Sequence, residues 1–250
     1  MTHPTQVKRP EAKRPTRAMM LAAGIGKRMR PLTATTPKPL IEVAGKALID
    51  HGLDRLVDAG VETVVVNVHY LADLVEFHVL KRAEPKVLIS DERSGLLETG
   101  GGIVKALDMI GPDPFFLFNS DSFWIDGYAD NLELLVEFWD EATMDMLLLL
   151  SPTVTASGYD GQGDFTMDPL GRLERRIEGR VAPFVYAGTA IIHPRIFAGT
   201  AQGRFSLNKF FDRALESGRL YGVHMDGIWL HVGTPEAIRE AEETIRHSAA

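Results

Sequence analysis

Met20-Leu21-Ala22-Ala23-Gly24-Ile25-Gly26-Lys27-Arg28-Met29-Arg30-Pro31-Leu32-Thr33, continuing through Pro37-Lys38-Pro39-Leu40, is the stretch that decides the fold. The apolar run Met19 to Ala22 reads as a buried strand. It ends in Gly24 and Gly26, which open backbone conformations closed to other residues and let a ligand approach main-chain N–H groups. Lys27, Arg28, Arg30 and Lys38 then place four cations in one loop. A strand, a glycine turn and clustered cations point to a polyphosphate ligand.

Two common phosphate loops are excluded. A dinucleotide fingerprint requires a third glycine where the following helix packs on the sheet, and Met29 stands there. A P-loop requires Gly-Lys-Ser/Thr, and Lys27 is followed by Arg28. Pro31, Pro37 and Pro39 forbid an ordinary helix directly after the glycines. An irregular segment from about Gly24 to about Gly45 is therefore expected, and loops of that length in a compact domain are usually functional.

The 250 residues are 45% hydrophobic and 24% charged, enough for a sizeable core. There is no cysteine, so disulfides, thiolate chemistry and cysteine-bound zinc are excluded, and a reducing cytoplasm fits. No apolar run is long enough for a membrane span, and no apolar leader opens the chain. Residues 1–17 hold five cations against Glu11, with Pro4, Pro10 and Pro15, and read as a disordered basic tail. With the formal net charge at −7, this leaves −11 on residues 18–250. That sign opposes a nucleic-acid partner. It fits a small anion held locally with a divalent metal, in a monomer or weak homo-oligomer.

Beyond the tail, helix and strand patterns alternate. Helices are expected over 46–59, 71–82, 102–110, 131–141 and 234–248, and strands over 62–68, 86–90, 115–119, 145–151 and 186–192. This order predicts one α/β domain, with a mostly parallel twisted sheet and helices on both faces. Glycines and Pro169 break the rhythm over 152–183, where a hairpin excursion is expected, with short strands over 164–168 and 173–177. Ligands in such sheets bind beyond the carboxyl ends of the strands. Four segments fall there: the loop after Ala22, Asn67–Tyr70, Glu98–Gly102 and Asn119–Asp121.

The quoted loop closely resembles that of the sugar-1-phosphate nucleotidylyltransferases, which reads LAAGxGxRxxPLTxxxPKPL. The resemblance extends over nearly the whole chain after residue 17 and implies a Rossmann-like, glycosyltransferase-A-like fold. It implies a nucleotide site at Ala22, Ala23, Gly24, Gly26, Lys27, Asn67, Glu98, Thr99, Gly100, Gly101 and Asn119. The glycines of Leu97-Glu98-Thr99-Gly100-Gly101-Gly102 would let a flat base lie on the backbone. Arg28 and Lys38 would act on the phosphates, and Asp121, after the apolar strand Phe115–Phe118, would hold magnesium, with manganese the alternative. Glu178 and Gly188 would face the sugar.

Two departures stand out. The family's second metal carboxylate belongs in a WxDxGTPE segment, and here Trp229-Leu230-His231-Val232-Gly233-Thr234-Pro235-Glu236 puts His231 at that place. Imidazole suits later divalent ions better than magnesium. His231 is thus a candidate metal ligand, with Asp226 a substitute carboxylate. The sugar-phosphate lysine of many relatives is also missing, and Arg176 or Arg180 stands in its neighbourhood.

The implied reaction is in-line attack of a sugar-1-phosphate oxygen on the α-phosphorus of a nucleoside triphosphate. No general base is needed; positioning and electrostatics suffice. The short form with its LETGGG segment resembles the N-acetylmuramate-1-phosphate uridylyltransferases of bacterial peptidoglycan recycling. Mannose-1-phosphate guanylyltransferase is the alternative, and choline-phosphate cytidylyltransferase ranks behind it. A catalytically silent nucleotide-sugar sensor is the rival of another class, motivated by His231.

Overall fold

The computed structural model describes residues 14–248. Its elements in chain order are β1 (Arg17–Leu21), β2 (Glu42–Val43), β3 (Lys46–Ala47), α1 (Leu48–Asp58), β4 (Thr63–Val68), α2 (Ala72–Val79), β5 (Lys86–Asp91) and α3 (Glu98–Ile110). There follow β6 (Phe115–Asn119), β7 (Ser122–Asp126), α4 (Asn131–Phe138), β8 (Met146–Pro152), β9 (Phe165–Met167), β10 (Leu173–Arg175) and β11 (Phe184–Ile192). The chain closes through α5 (Asn208–Glu216), β12 (Leu220–His224), β13 (Gly227–His231) and α6 (Pro235–Ser248).

The main sheet runs β10-β9-β11-β6-β1-β4-β5, with β8 and β12 continuing from β11. Strands β6, β1, β4 and β5 are parallel, whereas β11 enters antiparallel to β6. The sheet is thus mixed, with the expected parallel strands at its centre.

Alternation along the strands divides the core. Ala18, Met20, Val64 and Val66 point to one face and pack with Ile49 and Leu53 of α1, Val75 of α2 and Leu135 of α4. Met19 and Val65 point to the other face, among Ile103 of α3 and Phe210 of α5. Successive side chains of a strand face opposite ways, so a sheet covered on both faces needs apolar residues at nearly every position. A third, smaller cluster joins Met29, Val43, Leu48, Phe123, Leu230 and Val232.

Three expectations change. Helix α3 begins at Glu98, so the glycines lie inside its first turns and not before it. The strands β7, β12 and β13 and the helix α5 lie outside every expected element. The end of the expected tail is ordered: Arg14 pairs with Glu133 and donates to Ala59 O at 3.0 Å, and Arg17 starts β1. Residues 1–13 of that tail lie outside the described residues.

Candidate active site

The loop after β1 folds as three short 3-10 turns, Lys27–Met29, Leu32–Ala34 and Lys38–Leu40. Gly26 adopts φ +65°, a left-handed conformation that side chains disfavour. A Cβ there would also lie 2.9 Å from Thr33 Cγ2. Thr33 closes the loop on itself by donating to Gly26 O at 2.9 Å, and Tyr70 Oη donates to Thr33 O at 2.8 Å. Met29, where a dinucleotide fold would have glycine, is fully buried and anchors the loop in the third cluster.

Asp121 sits in the turn between β6 and β7. Phe115 to Phe118 are fully buried, so the backbone that delivers it is fixed. Lys38 reaches it from the loop: Nζ to Oδ2 is 2.7 Å, and the lysine side chain keeps only 11% of its exposure. Burial alone would raise the Asp121 pKa, but the charge of Lys38, then that of His231, holds it below the usual carboxylate range.

His231 arrives beside Asp121 through strand pairing. It stands opposite Ser122 in the antiparallel β7–β13 ladder, and Val232 N–H donates to Asp121 O at 3.1 Å. Its ring stacks on Trp229 with centroids 5.4 Å apart. Burial lowers its pKa, Asp121 opposes that shift, and Lys38 and Arg28 reinforce it. Asp226 is not a second carboxylate here. Its Oδ2 accepts the N–H groups of Tyr128 at 2.5 Å and Ala129 at 2.7 Å, which commits it to a turn.

A cavity of about 390 Å³ opens at the carboxyl ends of β1, β4 and β6. Ala22, Ala23, Gly24, Lys38, Asn67, Glu98, Thr99, Asn119 and Asp121, all read as candidates from sequence, line it. Asn67 is largely committed to the frame: its Oδ1 accepts Ala22 N–H and its Nδ2 donates to Glu92, both at 2.7 Å. Glu92, fully buried, also accepts Leu97 N–H at 3.0 Å. Arg28 instead lines an adjacent cleft of about 1210 Å³, together with His231, Gly233 and Thr234.

The glycine segment requires a correction. Gly100 and Gly101 do not line the cavity as a platform for a base. Residues 203–207 lie across them as a strap. Gly100 and Gly101 N–H both donate to Phe205 O, at 3.0 and 3.1 Å, and Leu207 N–H donates to Thr99 Oγ1 at 2.8 Å. A Cβ on Gly101 would lie 2.0 Å from Gly203 O. These glycines are empty because backbone fills the space. Glu98 takes φ +62° and pairs with Arg204 at 2.9 Å, and Ser206 of the strap reaches the cavity wall.

Other candidates fall apart from the cavity. Lys27 and Glu178 are exposed. Gly188 packs behind Asn119, where a Cβ would lie 3.1 Å from the asparagine Cβ. Arg176 staples the excursion by donating to Gly163 O and Arg180 O, both at 3.1 Å. Glu92 and Ser206 escaped the sequence reading, because only tertiary pairing brings them in.

The family model described as nucleotidyl transferase matches residues 17–168, the span holding the loop, the glycine segment and Asp121. The chain belongs to the nucleotidyl transferase family. It is 48% identical over 229 residues to an N-acetylmuramate alpha-1-phosphate uridylyltransferase of Caulobacter vibrioides, covering 90% of this chain and 95% of that protein. It is 33% identical to the enzyme of the same name from Neisseria meningitidis serogroup B, covering 90% and 96%. A putative glucose-1-phosphate thymidylyltransferase from Bacillus anthracis, solved with sucrose, shares the nucleotidyltransferase fold: TM-score 0.74, 18% identity, 92% and 95% coverage. The expected family and fold are thereby established for this chain. Among the described residues no helix is long and apolar enough to cross a membrane.

Proposed function

We propose that this nucleotidyltransferase transfers a uridylyl group from UTP to N-acetylmuramate-1-phosphate, giving UDP-N-acetylmuramate and pyrophosphate. The reaction class, nucleotidyl transfer to a sugar-1-phosphate, follows from the family. The choice of sugar and base is supported by the two bacterial relatives, which span nine-tenths of this chain. The observation that carries the chemistry is the Lys38–Asp121 pair at the edge of a cavity lined by backbone of the glycine loop. The same reading places the enzyme in the cytoplasm, in peptidoglycan recycling.

The acceptor is already an anionic nucleophile, so the protein needs no base. Its tasks are to bring two polyanions together and to hold the attacking oxygen in line. Loop amides at Ala23 and Gly24 would orient the triphosphate, and Lys38 would lie between the two substrates. Arg28, from the adjacent cleft, would draw off pyrophosphate. Among the described residues no group of three or more His, Asp and Glu side chains could hold a metal. Asp121 offers one carboxylate and His231 one imidazole, and the ammonium on Asp121 marks a place that takes a cation. The Asp121 carboxylate fits a magnesium ion that completes its shell with substrate phosphates, whereas His231 as a second ligand would favour manganese. Such an ion would supply charge neutralisation at the phosphates.

The test is a matrix of four nucleoside triphosphates against several sugar-1-phosphates, scored by pyrophosphate release in magnesium and in manganese. UTP with N-acetylmuramate-1-phosphate is expected to be fastest. A faster second pair moves the assignment to that pair. No release from any pair in either metal replaces the enzyme with the silent sensor.

A further inference from the structure

Glu92 is fully buried, and the chemistry above leaves its carboxylate unused. Its two oxygens face two donors, and neither is a cation. Oε1 accepts Asn67 Nδ2 at 2.7 Å, and Oε2 accepts Leu97 N–H at 3.0 Å. The backbone of Glu92 is tied on both sides: its N–H donates to Val68 O at 2.8 Å, and its O accepts His69 Nδ1 at 2.7 Å. Burying a carboxylate without a cation is costly, and an apolar residue would fill the place at less cost. What the carboxylate adds is a fixed position for two donors.

Each donor leads to a different part of the cavity lining. Asn67 passes the constraint on: its Oδ1 accepts Ala22 N–H at 2.7 Å, where the lining residues Ala22, Ala23 and Gly24 begin. Leu97 stands between Leu96 and Glu98, which line the cavity together with Thr99. One carboxylate behind the lining therefore ties both segments. The same geometry accounts for the third glycine of the LETGGG segment. A Cβ on Gly102 would lie 2.7 Å from Glu92 Oε1 and 2.8 Å from Asn67 Nδ2, so the pair occupies the room a side chain would take.

We infer that Glu92 is a positioning residue for the triphosphate: it sets the spacing between the loop after β1 and the segment that opens α3, and touches no substrate itself. The inference rests on the cavity being the triphosphate site and not on the identity of base or sugar. The requirement for a carboxylate is strict. Both its oxygens accept, whereas glutamine, of the same shape, has one acceptor and one donor. Glu92→Gln therefore leaves one of the two donors facing an NH2 group. Adding Asn67→Asp reverses the polarity of the link. The new carboxylate accepts both Ala22 N–H and the new amide NH2, and the amide oxygen is left for Leu97 N–H.

The experiment compares the parent, Glu92→Gln and the double variant Glu92→Gln/Asn67→Asp in the full chain, with the substrate pair the parent turns over fastest. Glu92→Gln is expected to raise KM for the triphosphate about tenfold or more and to leave KM for the sugar-1-phosphate within about twofold of the parent. The double variant is expected to melt above Glu92→Gln and to regain at least about threefold in triphosphate KM. A triphosphate KM within about twofold of the parent in Glu92→Gln overturns the inference. Equal rises in both KM values overturn it too, as does a double variant no better than Glu92→Gln. Where Glu92→Gln fails to fold, Asn67→Asp, which sets two carboxylates face to face, takes its place under the same criteria. The parent's substrate matrix decides base and sugar separately. If the parent releases no pyrophosphate from any pair, the proposed reaction falls alone, and UTP affinity by calorimetry replaces KM in the comparison.

Discussion

Lys38 Nζ lies 2.7 Å from Asp121 Oδ2, joining the loop after β1 to the turn after β6 by one ion pair. Two chain segments 83 positions apart thus meet in the wall of the cavity. Pro37 and Pro39 flank the lysine and restrict its backbone, so the pair is held by local stiffness as well as by charge.

Lys38→Ala is expected to damage turnover far more than folding. Loss of a charge-assisted contact in the transition state costs about 2–4 kcal/mol, by analogy with removal of an oxyanion donor. Single-turnover rates in the folded variant provide the check. Activity within about threefold of the parent removes Lys38 from the chemistry.

The same substitution has a pH signature. Asp121 has a lowered folded pKa, so its contribution to stability is present above the unfolded value and is lost as pH falls through the folded one. Without Lys38 the effect of burial, which raises the pKa, is less opposed. The acid limb of stability should then move to higher pH in Lys38→Ala. Melting temperatures between about pH 3 and 7 decide this, and an unshifted limb contradicts it.

His231→Asp tests the metal position. An added carboxylate should raise the ratio of the magnesium rate to the manganese rate, since hard oxygen donors suit magnesium and imidazole suits later ions. If the ratio is the same in parent and variant, His231 only packs against Trp229. A second signature comes from His231→Gln. Burial lowers the His231 pKa, so its contribution to stability is complete above the unfolded value near 6.5 and declines as pH falls below it. The variant should lose that part of the decline.

Two glycines should separate binding from folding. Gly24 has no heavy atom within 4 Å of an added Cβ and no positive φ, so Gly24→Ala should leave stability within about 1 kcal/mol while raising KM for the triphosphate. Gly101→Ala forces a Cβ against Gly203 O and should destabilise by about 1–3 kcal/mol. Chemical denaturation and triphosphate titration distinguish them. Equal stability of the two variants would remove the strap as a packed element.

Central strands were legible because their apolar runs are local signals: Phe115–Asn119 was read without error and β4 to within a residue. Helix α5 was missed although Phe210, Phe211 and Ala214 share one face, since its polar half dilutes the pattern. Strands β7 and β13 exist through each other, and no short window of sequence shows that pairing. The same limit explains the glycine segment. Reading Gly100 and Gly101 as a platform for a base follows from the local glycine run and the family resemblance, whereas the strap that fills the space comes from residues 203–207. Most cavity-lining candidates were recoverable because the loop motif and strand ends are contiguous. Ser206, which lines the cavity, and Glu92, which braces Asn67 behind it, were not, because each is brought in only by tertiary hydrogen bonds or packing.

The strap gives the chain an order of completion. Residues 17–168 contain the recognisable motif, yet Ser206 forms part of the cavity wall and His231 stands beside Asp121 only after β13 has paired. A polypeptide interrupted after β8 would carry the signature of a nucleotidyltransferase without a finished cavity beside it.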